Sequence, residues 1–265
     1  MDSRIIVNAH RIRTGKLPVE MIPDGPGLEE NPLDGNLPDA FLTPDAEFCF
    51  IEQPTPEQTV SCIINLCRWT LPDRFGLHPM TDIQVLTPMH KGVAGTINLN
   101  RRLQQVLNRR TGEPSSGVSG FSSGFSAGDK VMHLKNNYQK DVYNGDVGTI
   151  TRMDEDENRL WVNFYDRTVE YAAEDMSELT LGYAISVHKS QGSEYPAVIL
   201  PVITQHYVML QRNLLYTAIT RAKQLVILVG TKKAVSIAVN NNRPEMRLSG
   251  LARRLAEGLQ GRKIF

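Results

Sequence analysis

Two short stretches hold the residues best suited to chemistry. The first, 184–196, reads AISVHKSQGSEYP. Ser186, His188, Lys189, Ser190 and Gln191 bring hydroxyls, an imidazole, a cation and an amide close together. Gly192 lets another backbone approach, and Glu194 adds a carboxylate. Such a set suits contact with sugar-phosphate on one side and a nucleotide on the other. A polar loop between a helix and a strand has the same composition, so both readings stand. The second stretch, 214–223, reads LLYTAITRAK. Arg221 and Lys223 close an otherwise apolar helix, where a cation complements the helix dipole. The position also suits an arginine reaching a γ-phosphate, because a planar, permanently charged guanidinium matches phosphate oxygens.

The surrounding pattern predicts elements able to hold these stretches. Residues 4–8 (RIIVN) form a short apolar run, read as a buried strand. Residues 17–40 hold five prolines, Pro18, Pro23, Pro26, Pro32 and Pro38, and read as a long loop. A strand is predicted at 48–51, then a helix with Thr55 as N-cap, Pro56 at the first position and Gln58 completing a capping box. Val60, Ile63, Ile64 and Cys67 give that helix its buried face. A strand at 83–86 and an amphipathic helix marked by Leu99, Leu103, Val106 and Leu107 follow. Strands alternating with helices predict a parallel α/β sheet.

The pattern changes at 111–128, a Ser- and Gly-rich linker. Short strands at 131–134, 147–153, 160–165 and 168–172, with a turn at Asn144-Gly145, predict a small inserted β-barrel. The α/β pattern resumes with a strand at 197–203, which Pro201 should shorten or bend. Leu214, Leu215, Ala218 and Ala222 fit one helix face, 225–229 (LVILV) is a buried strand, and 246–259 reads as a basic amphipathic helix.

The 265 residues are 41% hydrophobic and 22% charged, ordinary for a globular protein. Lys+Arg and Asp+Glu both number 29, so any nucleic-acid surface must be local. Three cysteines make no disulfide framework, and the histidines form no HExxH zinc pattern, so no metal is expected. No apolar run approaches the ~20 residues that span a membrane, and the N-terminus lacks a signal pattern, which predicts a cytoplasmic location.

Together the segments resemble superfamily 1 DNA helicases of the RecD/TraA type. SVHKSQGSEYPAVILPV and LLYTAITRAKQLVILVG resemble motifs V and VI. IIVNAHRIRTG resembles motif IV, and QVLTPMHKGVAGTINLNRRLQ the segment after it. GDKVMHLKNNYQKDVYNGDVGTI resembles the start of an SH3-like insertion. The resemblance implies a RecA-like parallel sheet flanked by helices, the second motor domain, at 1–110 and 180–265, with an SH3-like barrel at 129–179. It implies that Arg221 contacts the γ-phosphate, with Arg11 as a second phosphate contact and Arg13 close by. Gln191, Gly192 and Glu194 would lie by the nucleotide, with Glu194 near the ribose. Thr87, Pro88, His90, Ser186, His188 and Ser190 would meet single-stranded DNA, as would Asn136, Asn137, Tyr138 and Asn144 in the barrel, unless Asn137 and Asn144 only shape turns.

No GxxxxGK[ST] phosphate loop occurs: Gly15-Lys16 precedes Leu17, and Gly128-Asp129-Lys130 has the wrong order. ATP and Mg²⁺ would therefore be held mainly by an N-terminal RecA-like domain of the same protein, and this chain should not hydrolyse ATP alone. The resemblance implies 5′-to-3′ movement and leaves room for partner subunits in recombination or repair. A stand-alone nucleic-acid-binding module and the helicase segment of a conjugative relaxase remain the alternatives.

Overall fold

The computed structural model describes residues 3–19, 45–108, 124–154, 156–165 and 167–242. The Pro-rich stretch beyond residue 19, most of the expected linker and the helix expected at 246–259 lie outside these residues.

The chain opens with a helix where a strand was expected. The Ile5-Ile6-Val7 run is continuous in sequence, yet burial follows helical spacing: Ile5, Asn8, Ala9 and Ile12 are buried in α1 (Arg4–Arg13), while Ile6 is 67% exposed. Ser3 provides no side-chain cap. Instead the Glu47 carboxylate accepts from the Ser3 hydroxyl at 2.6 Å and the Arg4 amide at 2.5 Å. An acid at a helix N-terminus is favourable, and these bonds lower the Glu47 carboxyl from its ordinary range. Glu47 directly precedes β1 (Phe48–Glu52), so the cap sets where α1 starts relative to the sheet.

In α2 (Pro56–Asn65) the Thr55 hydroxyl accepts from the Gln58 amide at 3.2 Å and donates to Gln58 Oε1. A π turn, Leu66–Thr70, leads into α3 (Leu71–Phe75), then β2 (Ile83–Thr87) and α4 (Thr96–Leu107) follow. After the inserted segment come β8 (Ala184–Ser186), β9 (Tyr195–Val202), α5 (Arg212–Ile219), β10 (Ala222–Gly230) and α6 (Lys232–Asn240). The sheet order is β1-β10-β9-β2-β8 with every pairing parallel. Alternate side chains feed two cores. Cys49, Ile51, Val85, Ile199 and Ile227 pack with α2 to α4; Phe48, Phe50, Val198, Val226 and Leu228 pack with α1, α5 and α6. All three cysteines are buried thiols, and burial pushes Cys62 and Cys67 up to about 12.

Pro201 does not end its strand. The β2 partnership of β9 stops at Ile199, so Pro201 sits beyond that ladder and its missing N–H leaves no gap there. Ala222, placed on a helix face by spacing, is instead the first residue of β10 and pairs with Tyr195.

The inserted segment forms β3 (Lys130–His133), β4 (Val147–Asp154), β5 (Arg159–Phe164), β6 (Arg167–Ala172) and β7 (Leu179–Leu181). These make an antiparallel sheet, β6-β5-β4-β3-β7, wrapped round its own core of Val131, Ile150, Leu160, Val162, Phe164 and Tyr171. Its seam with the parallel sheet is buried. Val131 points into the insertion's core, while the next residue, Met132, joins the α1–α5–α6 core. Asp129 is fully buried and accepts from Gln104 Nε2 (2.6 Å), Asn108 Nδ2 (2.7 Å), the Ser126 amide (2.7 Å) and the Tyr183 hydroxyl (3.0 Å). One carboxylate thus joins α4, the entry to the insertion and its exit. Gly124 and Ala127, at the end of the expected linker, are pinned through their carbonyls to Gln104 and Asn108.

Lys130 is buried beside it and donates to the Ile83 carbonyl at 3.0 Å. Burial pushes its ammonium down to about 8, with Cys67 and Asp82 opposing. Two predictions follow from this seam. Asp129→Ala leaves four donors without their acceptor and should cost about 3 kcal/mol or more in urea unfolding. Lys130 loses its proton near pH 8 when folded but near 10.5 when unfolded. Across that window the unfolded state binds more protons, so stability should rise with pH, and Lys130→Met should flatten the rise.

Candidate nucleotide and single-strand interfaces

Register shows how the first stretch is laid out. Ser186 pairs level with Thr87 at the C-terminal end of β2, whereas Ala197 pairs level with Ile83 near its start. β8 and β9 flank β2 on opposite sides. Residues 187–194 must therefore cross β2 and return from one end of the sheet to the other. Val187 anchors the crossing in the core with Ile185, Leu86 and Tyr195. The donors of Ser186 to Ser190 lie at the C-terminal rim, and Ser193 and Glu194 lie at the opposite end, the base.

At the rim, Val187–Ser190 is a 3₁₀ turn capped by the Ser186 hydroxyl, which accepts from the Lys189 amide at 3.3 Å. His188 and Lys189 are exposed. Ser190 is fully buried, and its hydroxyl donates to the Val187 carbonyl at 2.7 Å. It shapes the turn and presents nothing to solvent. Thr87 is buried too, donating to the Ala94 carbonyl at 2.8 Å, and Pro88 is buried beside it. His90 is exposed, its Nδ1 held 2.7 Å from Thr96 Oγ1. In the insertion, Asn137 pairs both ways with the Val142 backbone, and its side chain holds the Lys140 amide at 3.1 Å. Asn136 Oδ1 accepts from the Asn144 amide at 2.9 Å. Asn137 and Asn144 thus shape the hairpin. At Gly145, with φ +101°, an added Cβ would lie 3.4 Å from the Lys189 carbonyl, so the foot of this loop, where the Gly145 amide bonds the His133 carbonyl, passes close to the rim turn. Tyr143, which sequence reasoning passed over, lies edge-on to exposed Tyr138 with centroids 6.1 Å apart. An aromatic directly before Asn144-Gly145 was the available signal.

At the base, α5 ends at Ile219 and Arg221 occupies the bend into β10. Its carbonyl accepts from the Tyr195 amide at 2.8 Å, fastening this bend to the start of β9. The half-buried guanidinium is loosely held: Nη1 donates to the Ser193 carbonyl at 3.2 Å, Nη2 lies 3.5 Å from Thr220 Oγ1, and buried Nε has no partner. Glu194 and Lys223 pair at 3.3 Å beside it, both more than half exposed. Gln191 and Gly192 are exposed in the turn leading there, Gly192 at φ +90°. The base thus gathers Arg221, Glu194 and Lys223 at one open edge.

Arg11 is not brought to that edge. α1 starts at Glu47, level with the base, and Gly15 beyond its far end lies against the Arg212 guanidinium at the start of α5. Arg212 and Arg221 are separated by the length of α5, ~13 Å at 1.5 Å per residue. Arg11 therefore sits toward the rim end, and its Nε donates to the Leu17 carbonyl at 2.8 Å. Among the described residues no group of three or more His, Cys, Asp or Glu could hold a metal, and no helix is long and apolar enough to cross a membrane.

The rim separates two kinds of polar residue, with one measurable consequence. Ser190→Ala should lower stability by about 1 kcal/mol and leave oligonucleotide affinity unchanged, because a buried hydroxyl loses one bond. His188→Ala should leave the melting temperature unchanged and weaken single-strand binding in fluorescence anisotropy.

Comparison with known proteins bears on both regions. The model of the UvrD-like helicase C-terminal domain matches residues 181–229, and that of the ATP-dependent RecD-like DNA helicase SH3 domain matches residues 99–164. The ATP-dependent RecD2 DNA helicase of Deinococcus radiodurans is 38% identical over 174 residues, covering 65% of this chain and 23% of that protein. The RecBCD enzyme subunit RecD of Mycobacterium tuberculosis is 31% identical over 183 residues, covering 68% and 30%. The chain thus spans less than a third of the length of these relatives. A crystal structure of Pif1 helicase from Bacteroides with ADP-AlF3 and single-stranded DNA aligns over 99% of this chain and 55% of that one, at 15% identity and a TM-score of 0.45. The helicase model covers the crossing segment, the arginine bend and the strands between them, and the SH3 model covers α4 and most of the insertion. The chain matches a UvrD-like helicase C-terminal domain and a RecD-like helicase SH3 domain, and it is similar to RecD-type helicases over about two thirds of its own length.

Proposed function

We propose that this chain is the second motor lobe of an ATP-dependent DNA helicase, completed by a phosphate-loop lobe of the same protein. The observation that carries this reading is Arg221. A cation half-buried at an open edge, with one buried N–H unpaired and another at the limit of bonding, is under-satisfied by its own fold. An anion arriving at the open edge offers the weakly held Nη groups stronger acceptors. The neighbouring Glu194–Lys223 pair is too exposed to stabilise much by itself and is free to rearrange.

In this reading ATP and Mg²⁺ sit mainly on the partner lobe, and Arg221 meets the γ-phosphate across the cleft. Glu194 and Gln191 border the nucleotide. Arg11 has no part at this edge. Single-stranded DNA lies along the rim, where His90, His188 and the hairpin of the insertion are exposed. Residues 187–194 touch both ends of the sheet, so lobe closure at the base and grip at the rim change together. Movement is 5′-to-3′ on the resemblance to RecD/TraA helicases, and the names of the RecBCD relatives suggest work alongside other recombination subunits.

The test is steady-state ATP hydrolysis by the chain joined to its phosphate-loop lobe. The isolated chain should show no turnover. In the joined protein Arg221→Ala should reduce kcat by about 10³-fold or more, the range for arginine fingers. Single-strand affinity should hold, and Arg221→Lys should not restore turnover, because an ammonium lacks the planar fork. Undiminished turnover in Arg221→Ala would overturn the assignment. Tight DNA binding without any turnover would favour a binding module.

A further inference from the structure

The parallel sheet fixes the order of its rim. All five strands run the same way, so every C-terminal end opens on one edge in the order β1, β10, β9, β2, β8. The loop after β2 carries His90, and the turn after β8 carries His188. The 3₁₀ turn Thr204–Met209 leaves β9, the strand next to β2 on the other side. It is seated against the same rim, since Met209 and Leu210 share a small apolar hollow with Pro88. On this turn Tyr207 is 65% exposed and Val208 is 80% exposed. Buried His206 is the foot of the turn: its amide bonds the Ile203 carbonyl, and its carbonyl accepts the Leu210 amide. An aromatic ring is thus held outward, two strand spacings, or ~10 Å, from the β8 end of the rim.

We propose that Tyr207 is a stacking platform for a base of single-stranded DNA, in the middle of the rim and two strands in from its β8 edge. The inference rests on reading this rim as the DNA path. Three observations favour a nucleobase over another surface. First, Tyr207, His90 and His188 are exposed just beyond the C-terminal ends of three successive strands, β9, β2 and β8. Alternating aromatics and hydrogen-bond donors suit stacked bases and a tracked backbone. Second, it stands at the opposite end of β9 from Arg221, whose carbonyl meets Tyr195 at the first residue of that strand; the length of β9 is ~26 Å. It is therefore remote from the edge that faces the partner lobe. Third, the turn is anchored by buried His206 and Leu210, so the exposed ring is carried on a fixed support.

The test measures binding of a fluorescein-labelled oligothymidylate to the full chain across a salt series. Tyr207→Ala should weaken binding by about five- to a hundred-fold, and Tyr207→Phe should restore it. The slope of log affinity against log salt should not change, because an uncharged ring releases no counterion. Trp69, 40% exposed on the π turn after α2, is the control, and Trp69→Ala should be silent. If His188→Ala weakens binding while Tyr207→Ala leaves it unchanged, the rim reading stands and this inference is overturned. If neither matters, the rim is not the path and both fall. If Tyr207→Ala alters association with the phosphate-loop lobe but not oligonucleotide affinity, the ring is a lobe contact and the inference is likewise overturned.

Discussion

Strands that all run one way impose a constraint on whatever joins neighbours: the chain must travel back the length of the sheet. Here the return from β8 to β9 is made by residues 187–194, with no full helix to carry it. The same short segment that presents His188 at the rim delivers Ser193 and Glu194 to Arg221 at the base. Val187, buried, and Ser190, bonded back to it, fix the rim half of the segment. Two ends of a domain that would otherwise be linked only through a packed core share a single covalent strut. For a protein proposed to convert nucleotide state into grip on DNA, that is the shortest available coupling.

The insertion is mounted in a way that preserves this coupling. Asp129 draws α4, the entry and the exit together, Lys130 reaches the Ile83 carbonyl on β2, and β3 sends successive residues into different cores. The turn at Gly145, at the foot of the loop after β3, passes close to the Lys189 carbonyl. The insertion is thus fixed at its root and lies beside the rim turn.

Much of this was legible in the sequence where local pattern decides. The alternation of strands and helices, the Asn144-Gly145 turn and the two chemistry-bearing stretches depend on residues close together in the chain. The error at α1 came from length: three successive apolar residues fit a strand, and only the exposure of Ile6 against the burial of Asn8 and Ile12 separates the two periods. Ser190 and Thr87 carry hydroxyls indistinguishable in sequence from that of Ser186, yet each is consumed by a nearby carbonyl. Arg11 and Arg221 look equivalent as cations, and the direction of α1 along the sheet separates them. Asp129 was invisible because its donors come from Gln104 to Tyr183, and no local rule assembles such a set.

The thiols lead to a practical consequence. Cys49, Cys62 and Cys67 are the chain's three cysteines, each enclosed and held protonated, Cys49 pushed up to about 11. A thiolate attacks the maleimide double bond, so three buried thiols held protonated react slowly with such a dye at neutral pH while the fold persists. Cysteines introduced at the hairpin tip and on α6 would therefore accept a donor and acceptor pair on an otherwise native background. Distance changes between insertion and lobe could then be followed one molecule at a time.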